Sequence, residues 1–309
     1  MSRGNPRRYS PRLHWQSQTI LLAFVPVIAI WVMLQAGQSW LDHDPVPLHA
    51  VLISVMFAAV VFALRAATLA AALTGGVFTA ALYLQRPGLH TSLWPLLSLL
   101  LLTFAATRFG RRRKEMLGTA EASRGRTASQ VAANLGFAAL AGIPLSAVHV
   151  YSPLTFDRHA ALLAMMAALA ETTADTLSSE LGQVLGGEPR LLTTLRPVPA
   201  GTDGGISLAG TLAGCAGAGI VVGIGLLTLP LTSLEALLVL GAGIAGLFID
   251  SLLGAIPERR GWLNNDAVNA LSTASAALLA VTAAHFMRAA PHLRDAAIAS
   301  MALIPRHHF

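Results

Sequence analysis

ISLAGTLAGCAGAGIVVGIGLLTLPL, Ile206 to Leu231, contains no Asp, Glu, Lys or Arg and is dense in glycine and alanine. An α-helix of that length rises far enough to cross a hydrocarbon core of about 30 Å. Ile20 to Leu34 and Leu89 to Thr107 read the same way. Over the whole chain 54% of residues are hydrophobic and 12% are charged, against about 25% charged in a soluble domain. The composition excludes an ordinary soluble domain, and the expected fold class is all-α, a polytopic integral membrane protein. The 27 glycines suit close approach of helix to helix.

Working outward from that stretch, apolar runs and breakers predict nine spans, approximately 19–36, 47–64, 66–84, 91–107, 129–150, 158–184, 206–231, 234–256 and 265–287. Loops retained in the cytoplasm keep an excess of Lys and Arg. With the N-terminus inside, the cytoplasm receives 16 of the 21 basic residues, leaving Arg86, Arg158, Arg288, Arg294 and Arg306 outside. The net charge of +6 therefore follows from topology, and no nucleic-acid partner is needed to explain it. Three parts are expected: N-terminal spans over 1–107, a motif-bearing catalytic region over 108–287 and a tail over 288–309. The N-terminal MSRGNPRRYSPR is read as the start of a first span rather than a cleaved signal, which favours a bacterial inner membrane.

Acidic groups then fall on one side. Asp175 and Glu180 lie in the last turns of span six, Asp203 in the following loop, Asp250 near the cytoplasmic end of span eight and Asp266 at the start of span nine. Glu171 stands one turn before Asp175, on the same helix face as Ser178. A carboxylate at the bilayer centre costs about 2.5–3.5 kcal/mol on insertion scales, so a cluster at one depth requires cations, water or mutual compensation. The plainer alternative makes some of them helix ends or caps, Glu258 and Asp266 first among these.

Two polar segments accompany the acids. In RLLTTLRPVPAGTDGGISLAGTLAG, Arg190 to Gly214, prolines and Gly201, Gly204 and Gly205 stop the helix. The glycines let backbone N–H groups face an anion at the N-terminus of span seven, although a simple turn and cap fits too. In Thr107 to Gly136 the run RRRK reads first as a cytoplasmic anchor, with Arg126, Gln130 and Asn134 carrying polar character to the mouth of span five. A P-loop is excluded, because the one lysine, Lys114, lies in no GxxxxGK[ST]. Gly241, Gly243 and Gly246 match GxGxxG inside an apolar span and are read as helix packing. No histidine spacing suits zinc, and Cys215 has no partner for a disulfide.

Four blocks carry a resemblance: RRRKEMLGTAEASRGRTASQVAAN, ADTLSSELG, PRLLTTLRPVPAGTDGGISLAGTLAG and IDSLLGAIPERRGWLNNDAVN. In these the chain resembles the transmembrane-protein-19-like family, whose best-understood relatives are phytyl-phosphate kinases of chloroplasts and cyanobacteria. More loosely it is similar to CTP-dependent polyprenol and phytol kinases and phosphatidate cytidylyltransferases. Asp203 stands where the family usually has asparagine, which takes weight off that carboxylate.

The resemblance implies a membrane kinase moving a phosphoryl group from CTP, or another nucleoside triphosphate, to a prenyl or phytyl monophosphate. It implies Asp175, Asp250 and Asp266 as the catalytic carboxylates, which would also furnish ligands to Mg²⁺. Substrate and nucleotide binding would fall to Arg126, Asn134, Glu180, Arg196, Thr202, Asp203, Gly204, Gly205, Ser251, Arg259, Arg260, Asn265 and Asn269. The rivals are a CTP-dependent polyprenol kinase or cytidylyltransferase on another lipid, and a secondary transporter, whose acids should lie near mid-membrane with polar groups reaching both faces. The sequence leaves homo-oligomerisation open.

Overall fold

The computed structural model describes residues 13–41, 43–120, 125–141, 143 and 158–289. Within them the helices are α1 (His14–Leu41), α2 (Val46–Ala63), α3 (Leu69–Gln85), α4 (Leu93–Arg108), α5 (Arg111–Leu117), α6 (Ala128–Ala141), α7 (Arg158–Leu185), α8 (Leu208–Thr228), α9 (Ser233–Leu253) and α10 (Asn265–Ala289). A two-stranded antiparallel ribbon, β1 (Arg190–Leu191) and β2 (Gly205–Ile206), pairs Arg190 with Ile206 and Leu191 with Gly205. The all-α membrane class stands. Among the described residues six helices are long and apolar enough to cross a membrane, or seven if α4 and α5 are one span bent by 62°. The expected nine are not confirmed, because α3 and α6 are apolar but short. The span expected over 129–150 is helical from Ala128 to Ala141, and 142 and 144–150 lie outside the described residues.

Helix α7 is the hub, with 89% of its most apolar stretch buried. It packs against α8, α9, α10, α6 and α4, and its Leu163 to Ala170 run forms the middle of the main apolar cluster. Lipid supplies no hydrophobic drive between helices, so closeness must come from small residues. On α8, a Cβ at Gly214 would sit 2.6 Å from the carbonyl oxygen of Ala174, and one at Gly210 2.6 Å from that of Ser178. The two helices therefore run antiparallel in near backbone contact. On α9, Gly243 and Gly246 meet Ala170 and Glu171 of α7 while Gly241 meets nothing. The GxGxxG match is helix packing, as read.

The ends of the helices sort onto two faces. On one, the start of α1 is tied to the start of α10: Gln16 Nε2 donates to the Trp262 carbonyl at 2.8 Å, and Asn264 Nδ2 donates to Leu13 O at 2.9 Å and to Ser17 Oγ at 3.0 Å. The α2–α3 turn is pinned on the same face, where the Thr68 N–H donates to Arg126 O and Arg108 Nη2 donates to Leu64 O at 2.7 Å. At the other end His159 Nε2 and Glu235 Oε1 lie 2.6 Å apart.

Candidate functional site

Lys114 ties α5 and the end of α4 to α7 beside the site. The αL residue Gly110 (φ 62°) lets the chain turn from α4 into α5. The turn folds Lys114 back beneath the end of α4, where its Nζ donates to Ala106 O at 2.7 Å, Thr107 O at 3.1 Å and Glu180 Oε2 at 2.5 Å. The side chain is 1% exposed. Carbonyls at a helix C-terminus lack intrahelical partners, and a cation there satisfies them and the helix dipole together. The lysine is thus a strut between α4 and α7 rather than part of a surface anchor.

A second strut comes from the 190–206 segment. Its ribbon is reinforced by Leu192 N–H to Gly204 O at 3.2 Å and Gly205 N–H to Thr202 O at 2.9 Å. Gly204 has φ +73°, and a Cβ there would collide with the backbone of Ala255. The loop seats itself on the end of α9 at that point. There Gly254–Glu258 form a π turn containing Pro257, a residue that brings no N–H to the ladder. Such turns recur at functional sites. The N-terminus of α8 is closed by Ser207, whose Oγ accepts from the Gly210 N–H at 3.1 Å. The loop therefore offers the site its Thr202–Gly205 stretch rather than a free helix end.

These parts enclose a polar cavity of about 450 Å³. Helix α7 contributes Asp175, Thr176, Ser178, Ser179, Glu180 and Gln183; α9 and its π turn contribute Asp250, Ser251 and Glu258. Gln130 and Asn134 come from α6, Asn265 and Asn269 from α10, Thr202 to Gly205 from the loop, and Arg126 from the segment before α6. Asp250 lies within electrostatic reach of Asp175, Glu171 and Glu258. Its Oδ2 accepts from Ser272 Oγ at 3.3 Å, while Asn269 Nδ2 donates to Asn134 Oδ1 at 2.8 Å across the floor. Gln183 Oε1 is buried without a hydrogen-bond partner.

Twelve of the sequence-predicted residues thus meet at the cavity: Arg126, Asn134, Asp175, Glu180, Thr202, Asp203, Gly204, Gly205, Asp250, Ser251, Asn265 and Asn269. Four do not line it. Asp266 turns to α1, where its Oδ2 accepts from Ser17 Oγ at 2.6 Å, and Asn264, not Asp266, caps α10 through Ala267 N–H at 2.9 Å. Arg196 is exposed beside Thr194. Arg260 lies over the Trp262 ring at 5.1 Å, and Arg259 is exposed next to it. Asp175 and Asp250 come together without Asp266, and among the described residues no three His, Cys, Asp or Glu side chains are grouped to hold a metal.

Glu258, for which a helix end was the plainer alternative, is a wall residue. The spacing of Asp250, Gly254 and Glu258 at i, i+4 and i+8 is the signal that finds it. Gln130, Thr176, Ser178, Ser179 and Gln183 follow from the same periodicity. Glu171 lies below the floor, 1% exposed, with Oε2 accepting from Thr273 Oγ1 at 2.9 Å.

Residues 52–277 match the family described as Integral membrane protein DUF92, and the chain belongs to that family. All four motif blocks fall inside the match, so the resemblance stands. An uncharacterized membrane protein of Methanocaldococcus jannaschii is 42% identical over 123 residues, covering 39% of this chain and 50% of that protein. An uncharacterized membrane protein of Synechocystis is 32% identical over 182 residues, covering 57% and 67%. Protein VTE6, chloroplastic, of Arabidopsis thaliana is 32% identical over 189 residues, covering 59% and 55%. The chain thus spans half to two thirds of these relatives' lengths. No solved structure matches it.

Proposed function

We propose that this DUF92 protein is a lipid phosphate kinase, transferring the γ-phosphoryl group of a nucleoside triphosphate, CTP by family likeness, to a prenyl or phytyl monophosphate. The observation that carries the reading is the charge of the cavity. Among the described residues the lining holds five carboxylates, Asp175, Glu180, Asp203, Asp250 and Glu258, against one cation, Arg126. Glu180 is paired with Lys114. A polyphosphate enters such a site with divalent cations or not at all, and a nucleotide–magnesium complex has that chemistry.

The residues fit the ion. Magnesium takes one or two carboxylates together with phosphate oxygens and water, and Asp175 and Asp250 reach the cavity from separate helices. Asp175 and Asp250 would hold the ion, which when bound would supply neutralisation of the charge developing in phosphoryl transfer. The chain's own groups do the positioning. Arg126 holds the acceptor phosphate through charge-assisted N–H donors. An oxygen of the lipid monophosphate attacks the γ-phosphorus as the bond to the β,γ-bridging oxygen breaks, giving lipid diphosphate and nucleoside diphosphate. The acceptor is already anionic at neutral pH, so no strong general base is required. Asn134 and Asn269 brace the floor, and the ribbon with Thr202 forms the roof. A cytoplasmic position for this face, in a bacterial inner membrane, belongs to the same proposal and gives the site access to nucleotide.

The test is purified protein in detergent with phytyl or geranylgeranyl monophosphate, Mg²⁺ and each of the four nucleoside triphosphates. Lipid diphosphate and nucleoside diphosphate are the expected products. Release of pyrophosphate would instead assign a cytidylyltransferase, and absence of any product from folded protein would overturn phosphotransfer.

A further inference from the structure

A second cavity, of about 290 Å³, lies between the α2–α3 hairpin and α4, floored by α6. Helix α4 packs on α7 and α8 and only touches α3, so the hairpin and α4 stand apart. The walls are apolar: Phe57 of α2, Gly75 of α3, Leu100 and Phe104 of α4, Val131 and Leu135 of α6. Gly75 keeps the space between helices from filling, since a Cβ there would approach Phe57 Cε1 to 3.1 Å.

The placement of this groove distinguishes it from an ordinary lipid-facing crevice. Ala120, Arg126 and Asn134 line both it and the polar cavity. Arg65, Arg108 and Arg111 stand around the groove as well. An apolar slot that ends at a guanidinium, and then opens into a carboxylate-rich chamber, complements an amphiphile with one long tail and one anionic head. Arg126 spends one weak bond on Thr176 Oγ1, at 3.5 Å, and a guanidinium carries five N–H donors.

We infer that the groove holds the isoprenoid tail of the acceptor lipid, with its monophosphate drawn against Arg126 where the two cavities join. This rests on the kinase reading and gives the α2–α3 hairpin and α4 the work of lipid selection. Phe57, Leu100 and Val131 are then the residues that grade acceptors by their chains.

The experiment uses a C20 isoprenoid monophosphate carrying a mid-chain diazirine, photolysed with the purified full chain. Label is expected on Phe57, Leu100, Phe104 or Val131. Excess unlabelled C20 monophosphate should remove it, and excess phosphatidic acid should not. Label on outward residues such as Leu52 and Leu101, or equal displacement by phosphatidic acid, would overturn the groove. Leu100→Trp should lower the ratio of kcat/KM for C20 over C5 monophosphate about tenfold, the scale of losing apolar contacts in a pocket; an unchanged ratio would count against it. Labelling in the groove without diphosphate formation by wild type would sink the kinase alone. Diphosphate formation with label elsewhere would sink the groove alone.

Discussion

Lys114 and Glu180 give the clearest separation of structural from chemical roles among single residues. Removing the lysine head leaves a half-sequestered carboxylate and two helix-end carbonyls without their donor, and breaking a buried pair costs about 3–5 kcal/mol. Lys114→Met is therefore expected to lower Tm sharply in detergent, and Lys114→Met with Glu180→Leu to restore much of the loss. Asp175→Asn and Asp250→Asn should behave in the opposite way. Each is expected to lower kcat on the order of 10²–10³-fold, the scale of losing one preorganised electrostatic contact, with Tm unchanged. Turnover at the wild-type rate by either variant would remove that residue from the proposed machinery.

At the scale of elements, the ribbon is held on the end of α9 by the close approach of Gly204 and Gly254. Gly204→Ala places a methyl group against the Ala255 backbone at a left-handed φ, a strain of about 1–3 kcal/mol. The ribbon should lift, exposing the 190–206 segment to limited proteolysis and raising KM for nucleotide; an unaltered cleavage pattern and KM would show that the loop is seated otherwise. Element scale is also where the sequence was most and least legible. Apolar runs mark α2 to α4 and α7 to α10 to within a few residues, because each is a largely hydrophobic helix, while of the run expected over 129–150 only the part to Ala141 is described as helix. The cavity face of α7 follows from the i, i+3, i+4 recurrence of Asp175, Ser178, Ser179 and Gln183. Asp266 could not be placed that way, since its partner Ser17 is on α1, far away in the chain. Lys114 was hidden in a run of arginines whose composition says only that one side of the membrane is near. Glu258 keeps the i, i+4, i+8 spacing from Asp250 and Gly254, but Pro257 announces a break in the helix at that point and not the π turn that carries the next residue inward.

Among the described residues, the carboxylate chamber sits at one end of the molecule. Asp175, Asp250, Glu258, the ribbon and the arginines of α4, α5 and the α9–α10 connection share the face that carries the start of α1, while Arg86 and His90 lie at the other. A transporter needs polar groups that continue to the second face; here the polar chamber stops above Glu171, and the core beneath is Leu169, Met166 and Val221. An asymmetric layout has a direct consequence for topology: on the proposed kinase reading the chamber must face the cytoplasm, where nucleoside triphosphate is available. With Cys215→Ala as background, cysteines introduced at Arg196 and Arg260 should react with a membrane-impermeant maleimide in inverted vesicles and stay unlabelled in right-side-out ones. A cysteine at His90 should give the reverse. If Arg196 and Arg260 label from outside, the carboxylate chamber faces away from its donor, and a phosphoryl transfer driven by cytosolic nucleotide has no route into the site.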